Sequence, residues 1–470
     1  MPKRLFIRGS VSCCLLAVLS SCGQVGPNHE VPPIDLPGSF SQGGVTWMQH
    51  AEAAGSARPQ AWWRLYHDPT LTGLEERALG RNQELKGAVA RLRQAREMSN
   101  QARSQYFPNV TLGTGSERSK IRFRGPGGGG TVQSNDFSVP VDCRYELDVW
   151  GKLSRQVESA TATEAATRES LSALRLSVAG EVAQTYWALR AVDTNRAVLT
   201  HTLEIRRKAL DLITKRRDVG NISGLDLSRA ETEVATAESE RIRLDQDRLS
   251  LVNALAVLTG AVATGSAIAE QPDLPKPPSV PSALPSEVLR QRPDIRAAER
   301  RVAAANAQIG VACAAFYPSF SIHASSGLDA GHLPDLFQGS ALVWALGGSV
   351  ITPLTNQKFL NSQRRGAIAA HEAASAEYRQ AVLESLREVE NALQGAAILE
   401  RRQVAQNKAL EGARKTYDLS VKRFEAGLVS FLDVVEAERT RLEAEQAANA
   451  IRAERLALSV ALIKAIGGEW

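Results

Sequence analysis

The sequence predicts a mixed α and β membrane protein made of two copies of one unit, each with long helices and a pair of strands. Three observations predict it. The first is a repeat: residues 422–438, KRFEAGLVSFLDVVEAE, match residues 215–231, KRRDVGNISGLDLSRAE, at eight of seventeen positions and an offset of 207. Such duplication sets the architecture before any single element does. The second is a set of long proline-free runs rich in Ala, Leu, Glu and Arg, the composition of long helices. The third is two blocks in which apolar and polar residues alternate, each interrupted by a Gly/Pro loop, as in barrel hairpins.

Each matched stretch reads as the tip of a helical hairpin. Gly220 and Gly427 fit the residue after a helix end, where positive φ costs no Cβ clash. Ser223 and Ser430 fit the cap of the returning helix. The duplication extends to 81–108 and 291–318 at offset 210, where Tyr106-Phe107-Pro108 answers Phe316-Tyr317-Pro318.

In chain order, Lys3, Arg4 and Arg8 precede an apolar run from Val11 to Leu19, which makes a signal peptide of residues 1–21, too short to span as a membrane helix. Residues 22–60 read as an extended tether, because 24–58 is rich in Pro, Gly and Ser and lacks periodicity. The first repeat runs over 61–261. It opens with a single helix expected from Asp68-Pro69-Thr70 to about Ser104, continues through a hairpin at about 107–147 with short strands and a flexible outer loop, and then a long helix. Gly151 and Gly220 bracket 68 residues without proline, on the order of 100 Å of helix. A heptad series from Val178 to Leu210 is apolar at seven of ten positions, with Thr185, Arg196 and Arg206 the exceptions, so the helix buries a narrow seam. The return helix is expected over 224–260. A linker at 262–285 is rich in proline, six of them between Pro272 and Pro285. The second repeat, 286–470, has its hairpin at about 316–354, a long helix from Phe359 to Ala426 and a return helix over 431–466. Four strands cannot close a barrel, and open edges in lipid are not tolerated, so the chain must associate with copies of itself.

Several function classes are disfavoured. The formal charge is +5, three units of it from the signal region, and no basic block points to nucleic acid. The seven histidines never pair at i, i+4, and the glycines at 127–130 lack the Lys-Ser/Thr of a phosphate loop. No catalytic residue, metal site or cofactor is expected. Cys143 and Cys313 have no metal-like spacing, and either a disulfide or two free thiols fits them.

Leu19-Ser20-Ser21-Cys22 resembles a bacterial lipobox. That resemblance implies S-diacylglycerol and N-palmitoyl on Cys22, and Gly23 in the next position implies the outer membrane. Together with Val25-Gly26-Pro27, Trp62-Trp63 through Asp68-Pro69, residues 292–300 (RPDIRAAER), Phe316-Tyr317-Pro318, both tips and the Gly-Gly-Glu-Trp end, the chain resembles the TolC-like outer membrane factors, specifically the NodT/OprM-type lipoproteins of resistance–nodulation–division efflux systems. The resemblance implies a homotrimer, with a 12-stranded outer-membrane barrel continuous with a periplasmic 12-helix tunnel. A periplasmic adaptor would dock at the tips, Val219, Gly220 and Asn221 in the first copy and Ala426, Gly427 and Leu428 in the second. An inner-membrane pump would supply energy, and drugs or other small toxic compounds would leave through the duct; ducts for heavy metals or for type I protein secretion are the alternatives. The resemblance also implies a periplasmic gate with an apolar ring of Leu432 and an acidic ring of Glu436. These share one helix face with Arg439 at i, i+4 and i+7, and Arg439 is expected to pair with Glu436 or with a neighbouring chain. Asp226 and Asp433 are the fallback gate positions.

Overall fold

A computed structural model describes residues 24–34, 61–125, 128–218, 223–265, 267–278 and 292–468. Among the described residues, seven α-helices follow in chain order: α1 Pro69–Arg81, α2 Gln83–Ser104, α3 Lys152–Asp218, α4 Gly224–Leu258, α5 Pro293–Ala314, α6 Gln357–Glu425 and α7 Phe431–Ala465. Five strands accompany them: β1 Asn109–Leu112, β2 Gly115–Gly125, β3 Gly128–Leu147, β4 Ser319–Ala330 and β5 Leu342–Ile351. The chain divides into two compact units, one holding the described residues within 1–33, 91–168 and 297–379, the other those within 34–90, 169–296 and 380–470.

The first unit contains the sheet. Its order is β1-β3-β4-β5, with β2 also on β3, and every pairing is antiparallel. β1 and β2 keep one register against β3, Leu112 opposite Val141 and Gly115 opposite Ser138, so they are one strand path interrupted at residues 113–114. Each half therefore supplies two strand paths. Within the first hairpin the strands are longer than the short ones expected and the outer loop correspondingly shorter, since pairing continues up to Gly125 and Gly128. Arg, Ser, Lys and Ile alternate through 118–122, a strand period that charge had disguised as loop. Cys143 and Cys313 are free thiols.

Residues 24–34, read as tether, are fastened instead. Val25 N–H donates to the Trp150 carbonyl at 3.2 Å. The Arg155 side chain, 2 % exposed, donates to the carbonyls of Val25 and Gly26 and, at 3.0 Å, to Asn28 Oδ1. Asn306 donates to the Pro27 carbonyl at 2.9 Å, and His29 meets Glu299 at 2.7 Å. Gly26 has φ +97°, and a Cβ there would stand 2.6 Å from the Gly310 Cα, so only glycine brings this strap onto the helix.

The second unit is helical. Where one helix was expected over 70–104, the structure breaks at Asn82. Its Oδ1 accepts from Leu85 N–H at 3.1 Å and its amide donates to the Leu258 carbonyl at 2.9 Å, so Asn82 caps a second helix. Asp68 caps α1 through Thr70 and Leu71 N–H, and its other oxygen accepts from Tyr186 Oη at 2.6 Å. Glu75 on α1 is fully buried with neither carboxylate oxygen partnered, and burial pushes its carboxyl up to about 9. The 267–271 stretch is held by side chains of α3 and α4: Arg190 donates to the Ala269 carbonyl, Arg248 to the Ile268 carbonyl, and Gln271 N–H to Asp193. No described helix is long and apolar enough to cross a membrane.

Candidate functional site at the helix tips

The second tip is built as its sequence demands. At the end of α6, Leu428 N–H donates to the Arg423 carbonyl at 2.9 Å and Gly427 N–H to that of Phe424 at 3.0 Å. With Gly427 at φ +75°, this is a Schellman closure, which a side chain at that position would strain. α7 starts at once: the Asp433 carboxylate accepts from Ser430 N–H at 2.9 Å and Ser430 Oγ at 2.6 Å. The Ser430 hydroxyl and amide hold the Asp433 carboxyl below its ordinary range. The first copy repeats the device on α4, where Ser223 Oγ donates to Asp226 at 2.9 Å and Arg229 stands 3.7 Å from the same carboxylate. Val219, Gly220 and Asn221 lie outside the described residues, as does Cys22.

An apolar plug joins the four helices behind the tips. Ile213 of α3, Ala230 of α4, and Phe431 and Val435 of α7 form its buried centre, with Phe424 of α6 packed against it. The Phe424 and Phe431 rings stand 5.8 Å apart.

Beside the plug lies an ion cluster. Arg206, at a seam position of α3, donates to Glu438 Oε2 at 2.9 Å and meets Glu233 Oε2 at 2.9 Å. It also donates to the Glu233 backbone carbonyl at 2.8 Å. All three residues are buried. Burial raises the Glu438 carboxyl, with Arg206 opposing, and Glu438 Oε1 has no hydrogen-bond partner. Arg439 adds a second cation, donating to Glu233 Oε1. Within the single chain, Arg439 reaches across to the first copy's return helix rather than to Glu436 three residues away. Leu432, Asp433, Glu436 and Arg439 all lie exposed on the single chain, and Glu436 forms no ion pair among the described residues.

The sequence reading missed the Arg206–Glu233–Glu438 cluster. Its signal was present, because arginine at a buried heptad position demands a carboxylate partner. Arg196, the other seam arginine, likewise meets Asp245 and Glu270, each at 2.5 Å.

A sheet with an apolar face, joined in sequence to two helical hairpins, defines a class of protein: an outer-membrane duct. The outer membrane efflux protein family model matches residues 74–261 and 284–468, and the chain belongs to that family. It is 31% identical over 463 residues to the pyoverdine export outer membrane protein OpmQ of Pseudomonas aeruginosa, covering 97% of both chains. It is 28% identical to the toluene efflux pump outer membrane protein TtgF of Pseudomonas putida, covering 98% of this chain and 96% of that one. The solved outer-membrane channel OprN superposes with TM-score 0.87 at 30% identity, over 95% of this chain and 99% of that one. The protein is thus an outer membrane efflux channel of mixed α and β architecture, in a family of ducts.

Proposed function

We propose that three copies of this chain close a 12-stranded barrel in the outer membrane and a 12-helix tunnel in the periplasm. The duct passes small toxic compounds delivered by an inner-membrane resistance–nodulation–division pump through a periplasmic adaptor. The observation that carries the reading is the sheet: the β1/β2 path and β5 are each paired on one side only, and apolar side chains crowd one face. Edges of that kind require partner strands in a bilayer. The names of the relatives, pyoverdine export and toluene efflux, favour small-molecule export over protein secretion or heavy-metal efflux.

The adaptor docks on Ala426, Gly427 and Leu428 and on their counterparts Val219, Gly220 and Asn221. Leu428 is 74% exposed beside a closed helix end, which suits an apolar partner tip. The gate is formed by Leu432 and Glu436, with Arg439 drawn toward Glu233 to hold the return helices together, and with Asp226 and Asp433 capping the helices that carry it. Cys22 carries S-diacylglycerol and N-palmitoyl chains, and the strap at 24–34 sets where they leave the protein.

Expression in a strain stripped of its own outer-membrane efflux channels tests the reading. Given a matching adaptor and pump, the wild-type chain should restore toluene and antibiotic resistance. Gly427→Trp should restore trimers without resistance. Resistance that stays at the empty-vector level with trimers present overturns the export reading. Intact mass of the mature protein tests the anchor: an unmodified Cys22 rules it out.

A further inference from the structure

Directly opposed residues of an antiparallel pair point to the same side of the sheet, so register assigns every strand residue to a face. On one face the residues of β3 are Phe137, Val139, Val141, Cys143, Tyr145 and Leu147. Their partners on that face are Val110 and Leu112 of β1, Phe320, Ile322, Ala324 and Leu328 of β4, and through β4 Leu342, Trp344, Leu346 and Val350 of β5. Trp344, Leu346, Leu112 and Val350 are among the most exposed apolar side chains of the protein. The opposite face carries Asp142, Arg144, Glu146, His323 and Asp329. The first face is therefore the lipid face. From Phe137 to Leu147 it runs ~34 Å along the strand, or ~25 Å of height at barrel tilt, the thickness of the apolar band.

Beyond Phe137, β3 pairs with β2 alone, and the two form a ribbon past the end of β4. Its register is unbroken, so the lipid face continues onto it. There it carries Arg118, Lys120, Arg122 and Arg124 of β2, opposite Asn135, Gln133, Thr131 and Gly129 of β3. All four cations are exposed, and none has an acidic partner among the described residues. The acids Glu117 and Asp136 face each other on the other side, which also takes Ile121 and Val132. The pattern of the band is thus inverted: outward cations without acids, inward acids and apolar residues. The ladder starts ~7 Å along the strand beyond Phe137 and extends ~20 Å further, the depth of lipid headgroups rather than of hydrocarbon.

We propose that the outward face of this ribbon docks the phosphate groups of the outer-leaflet glycolipid. Guanidinium forks match phosphate bidentately, and a row of cations beside an apolar band suits a molecule with acyl chains below and phosphates above. Continuity with the lipid face sets the occupant, since any molecule on the ladder shares that surface with the membrane. The inference rests on the barrel assignment and not on what is exported.

The full-length trimer, exchanged into neutral detergent, is incubated with lipopolysaccharide carrying both lipid A phosphates or with the same material enzymatically dephosphorylated. Bound lipid per protomer is read by native mass spectrometry. Wild type should favour the phosphorylated form by about tenfold or more at low salt, and lose that preference near 1 M salt, where screening reaches ~3 Å. The quadruple variant R118Q/K120Q/R122Q/R124Q should lose the preference while remaining trimeric, and Glu117→Gln on the opposite face should keep it. If the quadruple variant fails to assemble, the paired variants R118Q/K120Q and R122Q/R124Q should each reduce the preference. Equal binding of both lipid forms by wild type, a preference that survives high salt, or an undiminished preference in the Gln variants overturns the proposal, and the last would assign the ladder to another partner.

Discussion

The two return helices, α4 and α7, begin as copies and diverge within two turns. Leu225 and Asp226 answer Leu432 and Asp433, and both starts are capped by a serine whose hydroxyl meets the aspartate. Then Arg229 stands where the second copy has Glu436, and Thr232 where it has Arg439. Divergent positions help wire the copies together: Arg439 of the second reaches Glu233 of the first, and Arg206 of the first holds Glu438 of the second, a shared position that answers Glu231. Duplication kept what shapes a helix end and changed three of the four residues that make two ends complementary. Of the two proposed gate residues, Leu432 is kept from copy to copy and Glu436 is changed.

Arg206 tests that wiring hardest. Arg206→Met leaves Glu233 and Glu438 buried with little compensation, which should cost ~3–5 kcal/mol and raise hydrogen exchange in both return helices together. Loss of protection confined to one copy would break the comparison. Glu75 supplies the contrast of a buried carboxyl with no arginine. Its folded value near 9 lies above the ordinary 4.5. The folded state therefore takes up a proton, and this group's contribution is most favourable below pH 4.5 and is lost as pH rises toward 9. Glu75→Gln removes that cost and should stabilise by on the order of 2–4 kcal/mol at pH 8, with little change near pH 4.5. Thermal melts followed by circular dichroism at the two pH values decide it, and an equal shift at both contradicts a neutral Glu75.

The capping serines should behave alike, because they belong to what the copies share. Ser223→Ala and Ser430→Ala are each expected to cost ~1 kcal/mol of local stability, read by exchange at the start of α4 and α7. A severalfold difference would mean that the caps have diverged too. Arg439→Ala should cost least, ~0.5 kcal/mol, since its side chain is 58% exposed and Glu233 keeps Arg206. A loss as large as that of Arg206→Met would place Arg439, not Arg206, at the centre of the wiring.

Legibility followed the range of the physics. Gly427, Ser430 and Asp433 act within a few residues, so the tip could be read from the chain. The long proline-free runs gave helices whose described ends fall within a few residues of those expected. The break at Asn82 could not be read, because it depends on the Leu258 carbonyl 176 residues away. Nor could the fastening of residues 24–34, which needs Arg155, Asn306 and the near-touching Gly26 and Gly310. Arg439 was expected to pair with Glu436 or with a neighbouring chain, because i, i+3 spacing offers Glu436 and only the packed helices offer Glu233.

Single-channel conductance of purified trimers in planar bilayers tests the gate most directly, comparing wild type with Leu432→Ser and Glu436→Ala. Acidic rings focus the field of a narrow pore and favour cations. Both variants should conduct more than wild type, Glu436→Ala should also lose cation preference, and cells carrying either should admit vancomycin. Unchanged conductance and ion selectivity in both would contradict the account and move the constriction to Asp226 or Asp433.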